Sequence, residues 1–270
     1  MWYESLAFEN PKTVQEALEC LATDGAEVIA GGTDKLVQLR EKKKSIKKIV
    51  NIGDIKSLKK IKKNGNTLTI GACITYSEFL ELASENLPLL TDAVKQIASP
   101  SIRNIATFGG NIVNASPAGD TLPVLYAFDA EQLLESLHGK RVVKINDFIT
   151  GPGETILNNG ELLTEIRINI PSFTYYYRKF GPRKALALSK VSFCGVHLTD
   201  SDEIRLAYGA VGPAVIRAYE AEELYKKGQK DKIPDLIEKL VQPINDQRST
   251  AEYRRYLCVE MTREFLKKIQ

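Results

Sequence analysis

The chain has 270 residues, 43% hydrophobic and 26% charged, with a formal net charge of +3. That balance describes a folded, water-soluble protein with material for one large domain or two to three small ones, and excludes a disordered chain. No apolar run reaches the roughly 18–20 residues a membrane span needs, and MWYESLAFENP, with Glu4 early and no basic or apolar leader, predicts no signal peptide and a cytoplasmic location.

In chain order, Thr13-Val14-Gln15-Glu16 reads as a capping box. Val14, Ala17, Leu18 and Leu21 follow at helical spacing, with Gly25 as the residue that ends the helix. A short strand is expected over 27–30. Gly31-Gly32-Thr33 then turns into a second helix beginning near Asp34, with Leu36, Val37 and Leu39 as its apolar side. From Arg40 to Lys63 eleven basic residues stand against two acidic ones, Glu41 and Asp54. Such a stretch can bind nucleic acid, yet it holds no aromatic side chain to stack on bases. Its lysines flank Ile46, Ile49, Ile52, Ile55, Leu58 and Ile61, as on the solvated faces of buried strands and turns. No nucleic-acid partner is therefore expected.

Asn64-Gly65 between alternating residues signals a hairpin. Helices are expected over 75–83 and 89–98. Residues 99–120 are rich in Gly, Ser, Asn and Pro but interrupted by Ile102, Ile105, Phe108, Ile112 and Val113, which predicts an ordered, buried loop system. A short helix and two strands joined by a turn at His138-Gly139 fill 121–149. Further strands are expected over 162–170, 175–180, 185–198 and 203–211, and helices over 218–227, 233–241 and 250–269.

The four cysteines lie far apart and form no CxxC, so no iron–sulfur cluster or structural zinc is expected on this chain and no metal ligands are assigned. The two histidines read as a turn residue (His138) and a strand residue (His197). Hydrolase chemistry is poorly supplied, and no catalytic side chain is assigned.

Two glycine turns carry the chemistry. In Ala30-Gly31-Gly32-Thr33-Asp34-Lys35-Leu36 the paired glycines permit close approach to a ligand, and amides preceding a helix favour a phosphate. Neither GxGxxG nor GxxxxGK[ST] is present, so a plain tight turn remains the alternative. In Thr107-Phe108-Gly109-Gly110-Asn111 and Ser116-Pro117-Ala118-Gly119-Asp120, amides, hydroxyls, an Asn amide and a carboxylate are concentrated. That inventory suits a ligand with many hydroxyl and carbonyl groups, such as a ribityl chain with an isoalloxazine edge. Asp120 is expected to accept from ribityl hydroxyls while the amides face the pyrophosphate or flavin. A self-contained hydrogen-bonded loop is the alternative.

The stretches AGGTDKL at 30–36 and ATFGGNIVNASPAGDTLPVLYAFDAE at 106–131 resemble the FAD-binding medium subunit of the molybdenum hydroxylases, the family of xanthine, carbon monoxide and nicotinate dehydrogenases. The resemblance extends through SPSIRN (99–104), ELLTEIRINIP (161–171), YYRKFGPRKALALSKVS (176–192) and RSTAEYRRYLCVEMTREFL (248–266), nearly the whole chain. It implies an α+β protein: a two-subdomain FAD-binding fold of the vanillyl-alcohol-oxidase (PCMH) type, over 1–58 and 59–171, followed by a C-terminal α+β domain over 172–270. It implies that Ile29, Ala30, Gly31, Gly32, Thr33, Asp34, Lys35 and Leu36 hold the pyrophosphate. Thr107, Gly109, Gly110, Asn111 and Asp120 would hold the ribityl and flavin portion, Ser99 and Ile102 would line the flavin pocket, and Leu163 and Lys190 would lie near or on FAD. The FAD would be non-covalent, since neither turn contains histidine. Molybdopterin and two [2Fe–2S] clusters would belong to large and small partner subunits, with NAD or another acceptor taking the electrons. A stand-alone FAD-dependent reductase or oxidase of the same fold is the alternative. Phe108 stands where the family more often has a small aliphatic residue; it either alters flavin access or simply packs.

Overall fold

The computed structural model describes residues 6–41, 46–183 and 186–269. The start of the lysine-rich segment, Lys42 to Lys44, and the first residue of the strand expected over 185–198 lie outside them. Among the described residues three larger sheets succeed one another along the chain, with a two-stranded one besides.

The first unit contains β1 (Ala7–Glu9), α1 (Val14–Leu21), β2 (Ala26–Ile29), α2 (Lys35–Glu41) and β3 (Lys48–Asn51). Its sheet has the order β1-β3-β2 and is parallel throughout. Thr13 caps α1 by accepting from the Glu16 amide, an interaction worth about 1 kcal/mol. The capping box is not reciprocal, because the Glu16 carboxylate accepts from Lys12 rather than from Thr13. The helix also ends earlier than Gly25: Ala22 is its cap, and Gly25 instead forms the turn into β2, its carbonyl accepting from Lys47 and Lys48. Ala17, Leu18, Val50, Ile52, Ile55 and Leu58 close a small core. Within the basic segment the isoleucines at 49, 52 and 55 are buried while Lys56, Lys59, Lys60, Lys62 and Lys63 are exposed, the arrangement of solvated faces.

The second unit is the largest. The Asn64-Gly65 turn joins β4 (Ile61–Asn64) to β5 (Thr67–Gly71), and the helices α3 (Tyr76–Leu82), α4 (Pro88–Lys95), α5 (Pro100–Arg103), α6 (Phe108–Asn114) and α7 (Leu122–Ala127) follow. Then come β6 (Glu131–Ser136), β7 (Gly139–Lys144), α8 (Ile145–Phe148), the short pair β8 (Ile149–Gly151) and β9 (Glu154–Thr155), and β10 (Leu162–Asn169). The last main strand, β10, enters the middle of an antiparallel sheet of order β4-β5-β10-β6-β7. Much of the stretch expected to be loop, 99–120, is helical. Ser99 caps α5 and Thr107 caps α6, so hydroxyls and glycines that read as loop composition are helix starts. Among the described residues a reciprocal capping box stands at Thr75 and Glu78, at the head of α3.

In the third unit β11 (Phe173–Phe180), β12 (Val191–Leu198), β13 (Glu203–Gly209) and β14 (Ile216–Arg217) form an antiparallel sheet in chain order. The helices α9 (Tyr219–Lys226), α10 (Ile233–Leu240) and α11 (Ala251–Lys268) accompany it. Side-chain alternation splits β12 between two cores: Val191 and Phe193 pack among the helices, while Cys194, Val196 and Leu198 join the core of the second unit. Arg217 and Arg205 staple the same junction by donating to the carbonyls of Tyr126 and Ala127. No described helix is long and apolar enough to cross a membrane.

Burial pushes the Cys73 thiol up to about 12, and burial raises those of Cys194 and Cys258 as well; Cys20 is half-buried. The thiolate is the reactive form. A maleimide added at neutral pH should therefore label Cys20 first and leave the other three until denaturant is present, as read by peptide mass spectrometry. Rapid labelling of Cys73 in the folded chain would contradict this packing.

Candidate functional site

The two glycine turns meet face to face. A Cβ built on Gly31 would stand 1.8 Å from the Ile105 carbonyl oxygen, so the first turn lies directly against the backbone leading into α6. On the other side, a Cβ on Gly109 would approach the Cβ and carbonyl oxygen of Ala72 to 2.7 Å. These glycines are used for close backbone approach, whereas Gly32 is needed for its positive φ of +72°. Thr75 and Thr107 form an isolated bridge, and the Tyr76 amide donates to the Ala106 carbonyl, tying α3 to the same junction.

Between the turns runs a cavity of about 710 Å³, in the upper part of the range of about 300–1,000 Å³ common for small-molecule sites. Of the residues expected at a ligand, Ile29, Ala30, Gly31, Gly32, Thr33, Asp34, Lys35, Ile102, Thr107, Gly109, Gly110, Asn111, Asp120 and Leu163 line it. Leu36, Ser99 and Lys190 are not among the lining residues. Leu36 and Val37 point to solvent while Leu39 is buried, so the apolar side of α2 is narrower than its sequence suggests. The Ser99 hydroxyl accepts from the Ile102 amide as a helix cap. The Lys190 ammonium lies over the Tyr253 ring, 5.6 Å from its centroid.

The polar groups of the two turns are employed differently. Among the described residues, the amides of Gly31, Gly32, Thr33 and Asp34 have no protein acceptor, while the carbonyls of Gly32 and Asp34 receive Leu36 and Gln38. Lys35 is paired with Glu27. What the first turn offers a ligand is thus a run of neutral N–H dipoles rather than a free cation. In the second turn the amides of Gly109, Gly110 and Asn111 are already spent within the protein. Gly109 donates to the Ala72 carbonyl, Gly110 to the Thr107 hydroxyl and Asn111 to the Thr107 carbonyl. The Asn111 carboxamide oxygen accepts from Thr121 at 2.6 Å. The Gly109–Asn111 stretch is therefore a wall whose amides are held by the Thr107 cap and by Ala72.

Asp120 lines the cavity and is also engaged within the protein. Its side chain is 9% exposed and holds two donors: the Lys179 ammonium at 2.6 Å and the Ser189 hydroxyl at 2.5 Å. Burial pushes its carboxyl up from the ordinary value, and the Lys179 charge and the two hydrogen bonds oppose that. Lys179 comes from β11, where Tyr175, Tyr177 and Lys179 share one face. Tyr175 donates to the Asp92 carboxylate, Tyr177 to the Asp120 carbonyl, and Lys179 also to the Gln96 carbonyl. That lysine was missed in the sequence, although the period-2 pattern of Phe173–Phe180 places it on the face that meets the second unit. Leu186, Ala187 and Leu188, next to Ser189, complete the lining.

Other contributors also escape a sequence reading. Gln38 of α2 donates to Asn114 of α6 at 2.9 Å, and both line the cavity. Tyr76, the first residue of α3, lines it as well, 2% exposed and with no hydrogen-bond partner for its hydroxyl. Phe108 resolves to packing: it is fully buried, outside the cavity lining, and meets the rings of Tyr76 and Phe79 edge-on at 4.9 and 5.2 Å. His197 is on β12 and pairs with Asp202, and His138 sits in the β6–β7 turn; neither lines the cavity.

With this geometry in hand, similarity to known proteins narrows the ligand. Residues 4–172 match the model of the FAD binding domain in molybdopterin dehydrogenase, and residues 175–269 match the CO dehydrogenase flavoprotein C-terminal domain. The chain is 31% identical to the glyceraldehyde dehydrogenase medium chain of Sulfolobus acidocaldarius, with all of both chains covered. It is 29% identical to the xanthine dehydrogenase FAD-binding subunit of Escherichia coli O157:H7, over 98% of this chain and 96% of that one. Among solved structures, a chain of carbon monoxide dehydrogenase from Hydrogenophaga pseudoflava superposes with a TM-score of 0.88 at 26% identity, covering 97% of this chain and 96% of that chain.

Proposed function

The chain belongs to the FAD-binding subunits of the molybdopterin dehydrogenases, and we propose that it relays electrons through a non-covalently held FAD from the [2Fe–2S] clusters of a small partner subunit to NAD or another acceptor. It is the flavoprotein component of an oxidoreductase of the molybdenum hydroxylase type. A large partner subunit would carry the molybdopterin and hydroxylate the substrate.

The observation that carries the reading is the cavity between the two glycine turns, with four free amides on one side. The residues present fit FAD: neutral amides suit a pyrophosphate, which needs no buried cation when backbone dipoles face it. Ile29 to Lys35 would receive the pyrophosphate, with Gln38 and Asn114 between the turns. Thr107, Gly109, Gly110, Asn111 and Ile102 would form the wall for the ribityl and flavin portion, with Leu163 and the 186–188 stretch closing the apolar side. Asp120 would act chiefly by fixing Lys179 and Ser189. Residues 1–58 and 59–171 would be the two gripping units and 172–270 the third.

Bound FAD supplies a carrier that accepts electrons singly or in pairs. The protein's part is to hold it, exclude water and tune its potential, which requires no general acid or base. The described lining residues include no histidine or cysteine.

The test is an absorbance spectrum of the purified chain before and after acid precipitation. Flavin bands that leave with the supernatant, and run as FAD rather than FMN on chromatography, are the expected result. A colourless chain that takes up no added FAD would overturn the reading. Electron delivery is checked by mixing the reduced chain with NAD under anaerobic conditions and following reoxidation.

A further inference from the structure

We propose that the Tyr76 hydroxyl is a cofactor-positioning donor, hydrogen-bonded to an acceptor oxygen of bound FAD; this rests on the FAD reading above. Tyr76 lines the cavity, yet its hydroxyl is buried and has no hydrogen-bond partner in the protein. A buried, unsatisfied hydroxyl is costly, and the surroundings do not relieve it. The Thr121 hydroxyl is nearby but outside hydrogen-bond geometry, and it donates its own proton to Asn111. Asp34 of the first turn and Asp120 beyond the second are the charged groups whose fields reach it.

The ring is held firmly. Tyr76 follows the Thr75 cap at the head of α3, its amide donates to the Ala106 carbonyl at 3.1 Å, and Phe108 meets its face edge-on. The phenylalanine in the second glycine motif thus acquires a use: it packs the ring that presents the hydroxyl. A tyrosine fixed by packing loses little freedom on making the bond, so the arrangement is preorganised for a ligand acceptor.

Tyr76→Phe keeps the ring and its packing and removes only the hydroxyl. Because the group is unsatisfied without ligand, the substitution should affect the two states oppositely. The flavin-free chain should melt at the same temperature as the parent or higher, while FAD, titrated by quenching of its fluorescence, should bind about 5- to 30-fold more weakly. A dissociation constant within twofold of the parent's would overturn the proposal. So would a melting temperature of the flavin-free variant several degrees lower, since that would show the hydroxyl already had a partner. Failure of the parent chain to bind FAD would overturn the functional reading itself, whereas normal binding by parent and variant alike removes only the role of Tyr76.

Discussion

Gly31→Val is expected to abolish saturable FAD binding and to destabilise the chain by more than about 3 kcal/mol, beyond the usual cost of overpacking. The reason is what the new Cβ would meet. It would fall 1.8 Å from the Ile105 carbonyl oxygen, 2.6 Å from the Ile105 carbonyl carbon and 3.1 Å from the Ala106 amide nitrogen. All three are backbone atoms, so no rotamer change relieves the clash. The first turn must retreat from the α5–α6 connection that carries Thr107, and the cavity between them opens. Gly32→Ala makes the informative comparison. Its Cβ meets only the side chains of Ile29 and Leu36, no nearer than 3.2 Å, and its penalty comes from the φ of +72°, about 1–2 kcal/mol. That variant should still bind FAD measurably. Thermal unfolding and FAD titration of both variants check the ranking. A Gly31→Val chain that binds FAD within tenfold of the parent would mean that the two turns are not in the contact described.

The same pair of turns shows what a sequence can and cannot disclose. Their composition marked them, because glycine pairs beside hydroxyls and a carboxylate are conspicuous in a linear string. Which groups remained available was not readable. The amides of Gly109, Gly110 and Asn111 are consumed by Ala72 and by the Thr107 cap. The first of these acceptors lies 37 positions earlier, and no local pattern announces it. The helical nature of 99–120 was hidden for a related reason: capping residues, Pro at the first turn and glycine in a helix resemble loop composition until tertiary contacts decide. Periodic elements fared better. The Asn64-Gly65 hairpin and the strand ending at Leu198 depend on neighbours in sequence.

The lysines illustrate the point at a single position. Resemblance within 176–192 directed attention to Lys190, which lies over Tyr253. The buried lysine beside the cavity is Lys179, eleven residues earlier, on the face of β11 that also carries Tyr175 and Tyr177. Strand periodicity supplied that face, but its partner Asp120 is 59 positions away. Tyr76 is a similar case. The helix over 75–83 was expected, and the Thr75–Glu78 capping box fixes where it begins. It does not reveal that the first helical side chain faces a cavity.

The second large effect concerns Asp120, and it separates a ligand group from a clasp. If the carboxylate served FAD alone, Asp120→Ala would weaken binding and leave the flavin-free fold untouched. The structure predicts otherwise. Its two oxygens receive Lys179 at 2.6 Å and Ser189 at 2.5 Å, and the side chains of the ion pair are 6% and 9% exposed. Removing one partner of a buried pair leaves the other charge without compensation, a loss of about 3–5 kcal/mol, or roughly 6 °C or more in melting temperature. The flavin-free Asp120→Ala chain should show that loss. Asp120→Ala combined with Lys179→Met removes the stranded ammonium and should recover most of the stability. It cannot restore the Ser189 contact, which anchors the stretch beside Leu186, Ala187 and Leu188 at the cavity. FAD affinity should therefore stay low in the double variant although its fold is repaired. That divergence between stability and binding marks Asp120 as the joint through which the third unit holds one wall of the site. Equal melting temperatures for the parent and the flavin-free Asp120→Ala chain would refute it.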